Sequence, residues 1–247
     1  ERYKVLWYYM NPVERPCATV GLMENIQRMQ GIVRDAFADW QSDRPDGDES
    51  GMPLRYLVLG SHLPGIFNMG GNLALFSELI ERRDRKSLEY YARLSIEVIH
   101  DNYVNLNLPI VTISLVQGDA LGGGFEAALC SDVIVAERGA KFGLPEILFG
   151  LFPGMGAYSF LERKIGRVEA ERMIFSGKVY SAEELYETGV VDVLAEDGFG
   201  EEAVLDYVNR NGHRHSAHRS IYKVRNAVNP VTFGEMREIA RIWVDAA

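Results

Sequence analysis

Between residues 24 and 40 the apolar side chains Ile26, Met29, Ile32, Val33, Phe37 and Trp40 recur at three- and four-residue intervals. That spacing gathers them on one face and predicts an amphipathic helix. Residues 41–53 mix Ser, Asp, Gly, Pro and Glu and can bury almost nothing, so an exposed loop is expected there. The pattern changes at 54–59 (LRYLVL), 109–116 (PIVTISLV), 133–136 (VIVA) and 190–194 (VVDVL). Each run is short, rich in Val, Ile or Leu and bounded by Gly, Pro or polar clusters, which predicts buried strands. Helical spacing returns within 72–103 through Leu88, Tyr91, Leu94, Ser95, Val98 and Ile99. Strands alternating with helices predict an α/β fold.

Ser181-Ala-Glu-Glu184 has the form of a capping box, in which the Ser181 hydroxyl accepts from the Glu184 amide and the Glu184 carboxylate reaches back. A helix should start there. Beyond Asp197 only helical spacing remains, first in Val204, Tyr207 and Val208, then in Phe233, Met236, Ile239, Ala240 and Trp243. The chain therefore reads as a core over residues 1–196 followed by a C-terminal helical region over 197–247.

At 247 residues, 47% hydrophobic and 25% charged, this is an ordinary globular chain able to bury a sizeable core. A net charge of -9 would repel a phosphate backbone, so nucleic acid is not an expected partner. The longest uncharged stretch, 102–118, contains Pro109 and several side-chain amides and is shorter than the roughly 20 apolar residues of a membrane span. No membrane span and no signal peptide are expected, and the protein reads as cytoplasmic. Cys17 and Cys130 are too isolated for a disulfide framework or a zinc cluster and read as buried thiols. His213, His215 and His218 lack supporting Cys or carboxylate residues, so they read as a basic surface turn and no metal is expected.

Three segments carry candidate chemistry. The strand 109–116 runs into Gly122-Gly-Gly124 at a predicted helix start, where unpaired amides and the helix dipole favour developing negative charge. A glycine turn needed only for close packing is the plain alternative. Gly122-x-Gly124-x-x-Ala127 also fits a dinucleotide fingerprint, but too few residues follow it for a parallel crossover, and Glu126 would face the pyrophosphate. Glu146 is the only charged residue between Lys141 and Glu162. A carboxylate in so apolar a setting is either a working acid or base or a surface cap. Ser61 to Leu73 follows a strand, ends in Gly70-Gly71, and could supply a second amide donor.

Taken in this order, these segments resemble the crotonase (enoyl-CoA hydratase/isomerase) superfamily. The matching parts are Gly70-Gly71-Asn72, Ala120-Leu-Gly-Gly-Gly-Phe-Glu126, Phe142-Gly-Leu-Pro-Glu146 leading to Pro153-Gly-Met-Gly156, and Tyr180-Ser-Ala-Glu-Glu to Gly189-Val-Val-Asp-Val. The resemblance implies a spiral of ββα units with a C-terminal helical appendage. It also implies backbone N–H donors at Gly71 and Gly123 for a thioester oxygen, and an acid/base pair of Glu126 and Glu146, with no cofactor. The apolar residues Leu148, Phe149, Leu151, Phe152, Met155 and Tyr158 are the expected acyl-binding side chains.

A long helical insert between Gly71 and Glu126, the segment from Met155 to Leu161, and Asn11-Pro and Arg15-Pro-Cys are most similar to the diffusible signal factor synthases within that superfamily. This similarity implies dehydration of a 3-hydroxyacyl thioester on acyl carrier protein to the cis-2-enoyl thioester, then hydrolysis to a free fatty acid. It further implies homotrimers or pairs of trimers, and a sensor-kinase receiver domain as a partner. The competing expectations are an ordinary enoyl-CoA hydratase or acyl-CoA thioesterase, and a catalytically silent protein that binds a regulator.

Overall fold

The computed structural model describes residues 4–12, 15–42 and 51–247. Most of the loop expected over 41–53 lies outside them. A larger sheet has the order β1 (Val5–Met10), β2 (Tyr56–Ser61), β4 (Val111–Val116), β6 (Val133–Glu137) and β9 (Val193–Ala195), all parallel. A smaller sheet has the order β3 (Ile66–Asn68), β5 (Asp119–Leu121), β7 (Lys141–Gly143) and β8 (Val179–Ser181), with only β8 antiparallel. Three successive passes of the chain each lay one strand in the larger sheet and the next in the smaller one: β2 then β3, β4 then β5, β6 then β7. This is the spiral of ββα units.

The helices are α1 (Val20–Gln41), α2 (Leu73–Glu81), α3 (Arg85–Tyr103), α4 (Gly123–Leu129), α5 (Ala157–Ile165), α6 (Arg167–Ser176), α7 (Ala182–Glu187), α8 (Gly200–Asn211), α9 (His215–Val228) and α10 (Phe233–Ala246). They cover both faces of the larger sheet, which is why β4 and β6 read as unbroken apolar runs rather than alternating ones. One face packs Tyr56, Val58, Ile113, Leu115 and Val135 against Val204 and Val208 of α8. Ile134 and Ala136 point the other way, toward Phe125 of α4 and Ile96 of α3.

Several sequence expectations shift for identifiable reasons. The strand expected over 109–116 begins at Val111, because Pro109 has no amide to give to the ladder. Within 190–194 only the end pairs as strand; Val190 and Val191 instead donate to the Leu185 carbonyl and close α7, whose capping box at Ser181 is formed. The helix expected over 24–40 starts earlier, at Val20, where the Thr19 side chain accepts from Leu22 N. The histidine-rich segment is a surface turn only in part: His213 is exposed in a short 3-10 helix, whereas His215 opens α9 and is buried against the Arg55 carbonyl and the Tyr56 ring. Cys17 and Cys130 are buried and free. Among the described residues no helix is long and apolar enough to cross a membrane.

Candidate active site

The three neighbouring parallel strands of the smaller sheet deliver the chemistry-bearing segments side by side. Gly70-Gly71 follows β3, Gly122-Gly123 follows β5, and Glu146 follows β7. Ligands of parallel α/β sheets characteristically sit beyond such carboxyl ends. Close packing demands the glycines here. A Cβ on Gly124 would lie 2.0 Å from the Asn68 carbonyl oxygen, so only glycine lets α4 start against β3.

The two expected amide donors are adjacent. A Cβ on Gly123 would stand 3.6 Å from Gly71 N, and one on Gly70 would stand 3.0 Å from Gly123 N. Gly123 is the first residue of α4, so its amide has no partner inside the helix. The segment carrying Gly71 is braced from both sides. Gly70 N donates to the Asn68 side chain at 2.8 Å, Ala18 N donates to Gly70 O at 2.7 Å, and the Tyr91 hydroxyl donates to Ala18 O while accepting from Asn72 N.

Glu126 sits in the first turn of α4 and is buried. Its Oε1 accepts from Met155 N at 2.8 Å and from Ala157 N at 2.9 Å, amides at the start of α5. Burial lifts its carboxyl well above the usual carboxylate range, the Glu146 charge adds to the rise, and the α5 amides oppose it. Burial likewise lifts Glu146, whose Oε2 is buried without a hydrogen-bond partner among the described residues. Glu146 Oε1 lies 2.6 Å from where a Cβ on Gly122 would be. Gly122, at a φ of +51°, therefore satisfies the turn and leaves room for the carboxylate.

All four groups, Gly71, Gly123, Glu126 and Glu146, line one cavity of about 250 Å³ with a mostly apolar wall. Such a site can hold a carbonyl oxygen on two amides while two carboxyls of raised proton affinity exchange protons with its neighbours.

The chain belongs to the enoyl-CoA hydratase/isomerase family. That family's profile matches residues 49–226. The mitochondrial methylglutaconyl-CoA hydratase of Rattus norvegicus is 35% identical over 152 residues, covering 61% of this chain and 46% of that protein. The probable enoyl-CoA hydratase 2, mitochondrial, of Arabidopsis thaliana is 31% identical over 153 residues, covering 62% and 48%. The chain thus spans about half the length of these curated relatives. Among solved structures, an enoyl-CoA hydratase from Bacillus halodurans superposes with a TM-score of 0.77 at 19% identity, over 98% of this chain and 90% of that one. DspI of Pseudomonas aeruginosa superposes with a TM-score of 0.71 at 24% identity, over 98% and 93%. These superpositions establish the crotonase fold.

Within this family fold, four of the six side chains expected to bind acyl groups, Phe149, Leu151, Phe152 and Met155, line the cavity. Leu148 and Tyr158 do not. Leu148 is 71% exposed and lies over Gly177, and the Tyr158 hydroxyl donates to Glu171 on the surface. Both follow Glu146 closely in sequence, but the short 3-10 helix at Pro145–Phe149 and the first turn of α5 point them outward. The sequence reading missed Phe76 on α2, Tyr91 on α3 and Trp243 on α10, which also line the cavity. The only sequence signal for them was their place on the apolar face of a helix. That position marks core side chains and does not distinguish a cavity wall.

Proposed function

We propose that this chain removes water from a 3-hydroxyacyl thioester. The observation that carries the reading is the convergence of Glu126, Glu146, Gly71 and Gly123 on one apolar cavity. The thioester oxygen accepts from the amides of Gly71 and Gly123. One glutamate takes the α-proton, the electron pair passes onto the carbonyl oxygen as an enolate, and the other glutamate protonates the 3-hydroxyl as it leaves as water. The residues of 1–196 form the spiral core that supplies both amides and both carboxyls. The C-terminal helical region, 197–247, closes the cavity through Trp243.

The finer reading is a diffusible signal factor synthase acting on 3-hydroxyacyl carrier protein. Dehydration gives the cis-2-enoyl thioester; the same carboxyls then direct a water onto the carbonyl carbon, the C–S bond breaks, and the thiol and a free cis-2-unsaturated fatty acid leave. Support comes from the insert carrying α2 and α3 and from the start of α5 that seats Glu126. The curated relatives named above favour a second reading, hydration of a CoA enoyl thioester without hydrolysis. A homotrimer and a sensor-kinase receiver domain are the partners this proposal carries.

Mass spectrometry of products formed from 3-hydroxyacyl carrier protein and from the matching CoA thioester separates the two. Free cis-2-enoic acid from the carrier-protein substrate supports the synthase. Reversible hydration of the CoA thioester alone supports the second reading, and no dehydration of either overturns both.

A further inference from the structure

A second, smaller cavity of about 40 Å³ lies behind the first, enclosed by β1, α1, α3 and α4. Ser95, Gly123 and Met155 line both cavities, so the wall between them is a single layer of residues. Ser95 is tied down by its hydroxyl, which donates to the Tyr91 carbonyl at 2.9 Å, and Gly123 is backbone. Met155 is the movable part. Its thioether is unbranched, has three rotatable bonds and packs on Gly123, with Sδ 2.8 Å from where a Cβ would be.

Aliphatic and thioether side chains such as Met23, Ile26, Val98 and Ile99 make up most of the inner wall. Asn68, Ser95, Asn102 and Gln30 bring polar side chains to it, and of these only Gln30 holds a buried side-chain atom without a partner among the described residues. It is fully buried, its Nε2 donates to the Val98 carbonyl at 3.0 Å, and its Oε1 has no hydrogen-bond partner among the described residues. A buried acceptor left unpaired is costly, and an alkyl group pressed against it brings no relief. The inner cavity is thus hospitable to hydrocarbon up to the Gln30 amide.

We propose that the inner cavity receives the distal alkyl end of long acyl chains, with Met155 as the gate and Gln30 as the polar end-stop that limits chain length. This rests on the reading of the outer cavity as an acyl thioester site. Chains too short to pass Met155 stay in the outer cavity, and longer ones turn its side chain aside and fill the space between α1 and α3.

The test is the turnover of 3-hydroxyacyl carrier protein thioesters of graded chain length by the wild type, Val98→Phe and Gln30→Leu. The ratio of long-chain to short-chain turnover within each protein cancels any loss common to both substrates. Val98→Phe fills the inner cavity and is expected to lower that ratio at least about tenfold, the scale for a misfitting methylene in an apolar pocket. Gln30→Leu removes the polar end-stop and is expected to move the longest accepted chain upward. If Val98→Phe does not fold, Gln30→Leu decides alone, since it nearly preserves volume. A chain-length profile identical to wild type in the folded variants overturns the proposal. Failure of the wild type on every chain length overturns the acyl thioester reading itself.

Discussion

Two buried acidic centres lie within one stretch of sequence and are treated in opposite ways. Asp132, between α4 and β6, is buried, yet each of its oxygens is partnered. Oδ1 accepts from Arg225 of α9 at 2.7 Å, and Oδ2 accepts from Thr112 N and from the Asn105 side chain. Burial pushes its carboxyl up and the Arg225 charge holds it back. Glu126 and Glu146 have burial acting in the same direction and no cation to oppose it. A buried carboxylate with a cation ties α9 to the sheet, whereas two without one keep a proton available near neutral pH. Burial alone therefore does not mark a working acid; burial without a counter-charge, facing a cavity, does.

The largest effect should come from the uncompensated pair. Glu126→Gln and Glu146→Gln are each expected to lower dehydration of a 3-hydroxyacyl thioester by about 10² to 10⁴, read as enoyl product by mass spectrometry, with the fold retained. Retained turnover in either would place that carboxyl with Asp132 as a structural group. Gly122→Ala removes no functional group, but it strains a turn whose φ is +51° and pushes a methyl into Glu146 Oε1. A loss on the order of 10²-fold is expected in kcat, from displacement of the Glu146 carboxyl and of the turn that carries the Gly123 amide.

At the compensated centre the expected effect is on stability. Arg225→Met leaves Asp132 without its cation, and because Arg225 is 45% exposed the cost is discounted to about 2 kcal/mol, measured by urea denaturation. Dehydration should persist in the folded fraction.

The smallest effect concerns pH. Both cavity carboxyls hold their protons more tightly folded than unfolded. Their contribution to stability is therefore complete below the ordinary carboxylate pKa and is lost as pH rises through the raised folded values. Glu146→Gln should consequently melt a few degrees above wild type in alkaline buffer, with the gap closing on acidification. A constant gap across pH would mean that Glu146 is not proton-loaded in the fold.

What the sequence revealed and what it hid follow the same physics. The strands buried on both faces, β2, β4 and β6, announce themselves as runs rich in Val, Ile or Leu, and the Ser181 capping box is a local hydrogen-bond pattern that is complete in four residues. The edge strand β1 was not anticipated, although Val5-Leu-Trp-Tyr-Tyr-Met10 is an unbroken run of apolar and aromatic residues, the composition of a strand. The strands of the smaller sheet are three residues each, too short for any period to register. Gly71, Gly123, Glu126 and Glu146 were singled out by residue type and motif order, and the structure brings them to one cavity. The wall of that cavity was less legible. Trp243 reaches it from the last helix of the chain, far from Glu146 in sequence, while Leu148, two residues from Glu146, faces solvent.

The most direct test follows the α-proton. With a 3-hydroxyacyl carrier protein substrate carrying deuterium at carbon 2, the wild type should pass the label to solvent as the enoyl thioester forms, slowed relative to the unlabelled substrate. Neither Glu126→Gln nor Glu146→Gln should do so at a comparable rate. Release of the label at near wild-type rate by either folded variant would contradict the account of two carboxyls working across one amide-held oxygen.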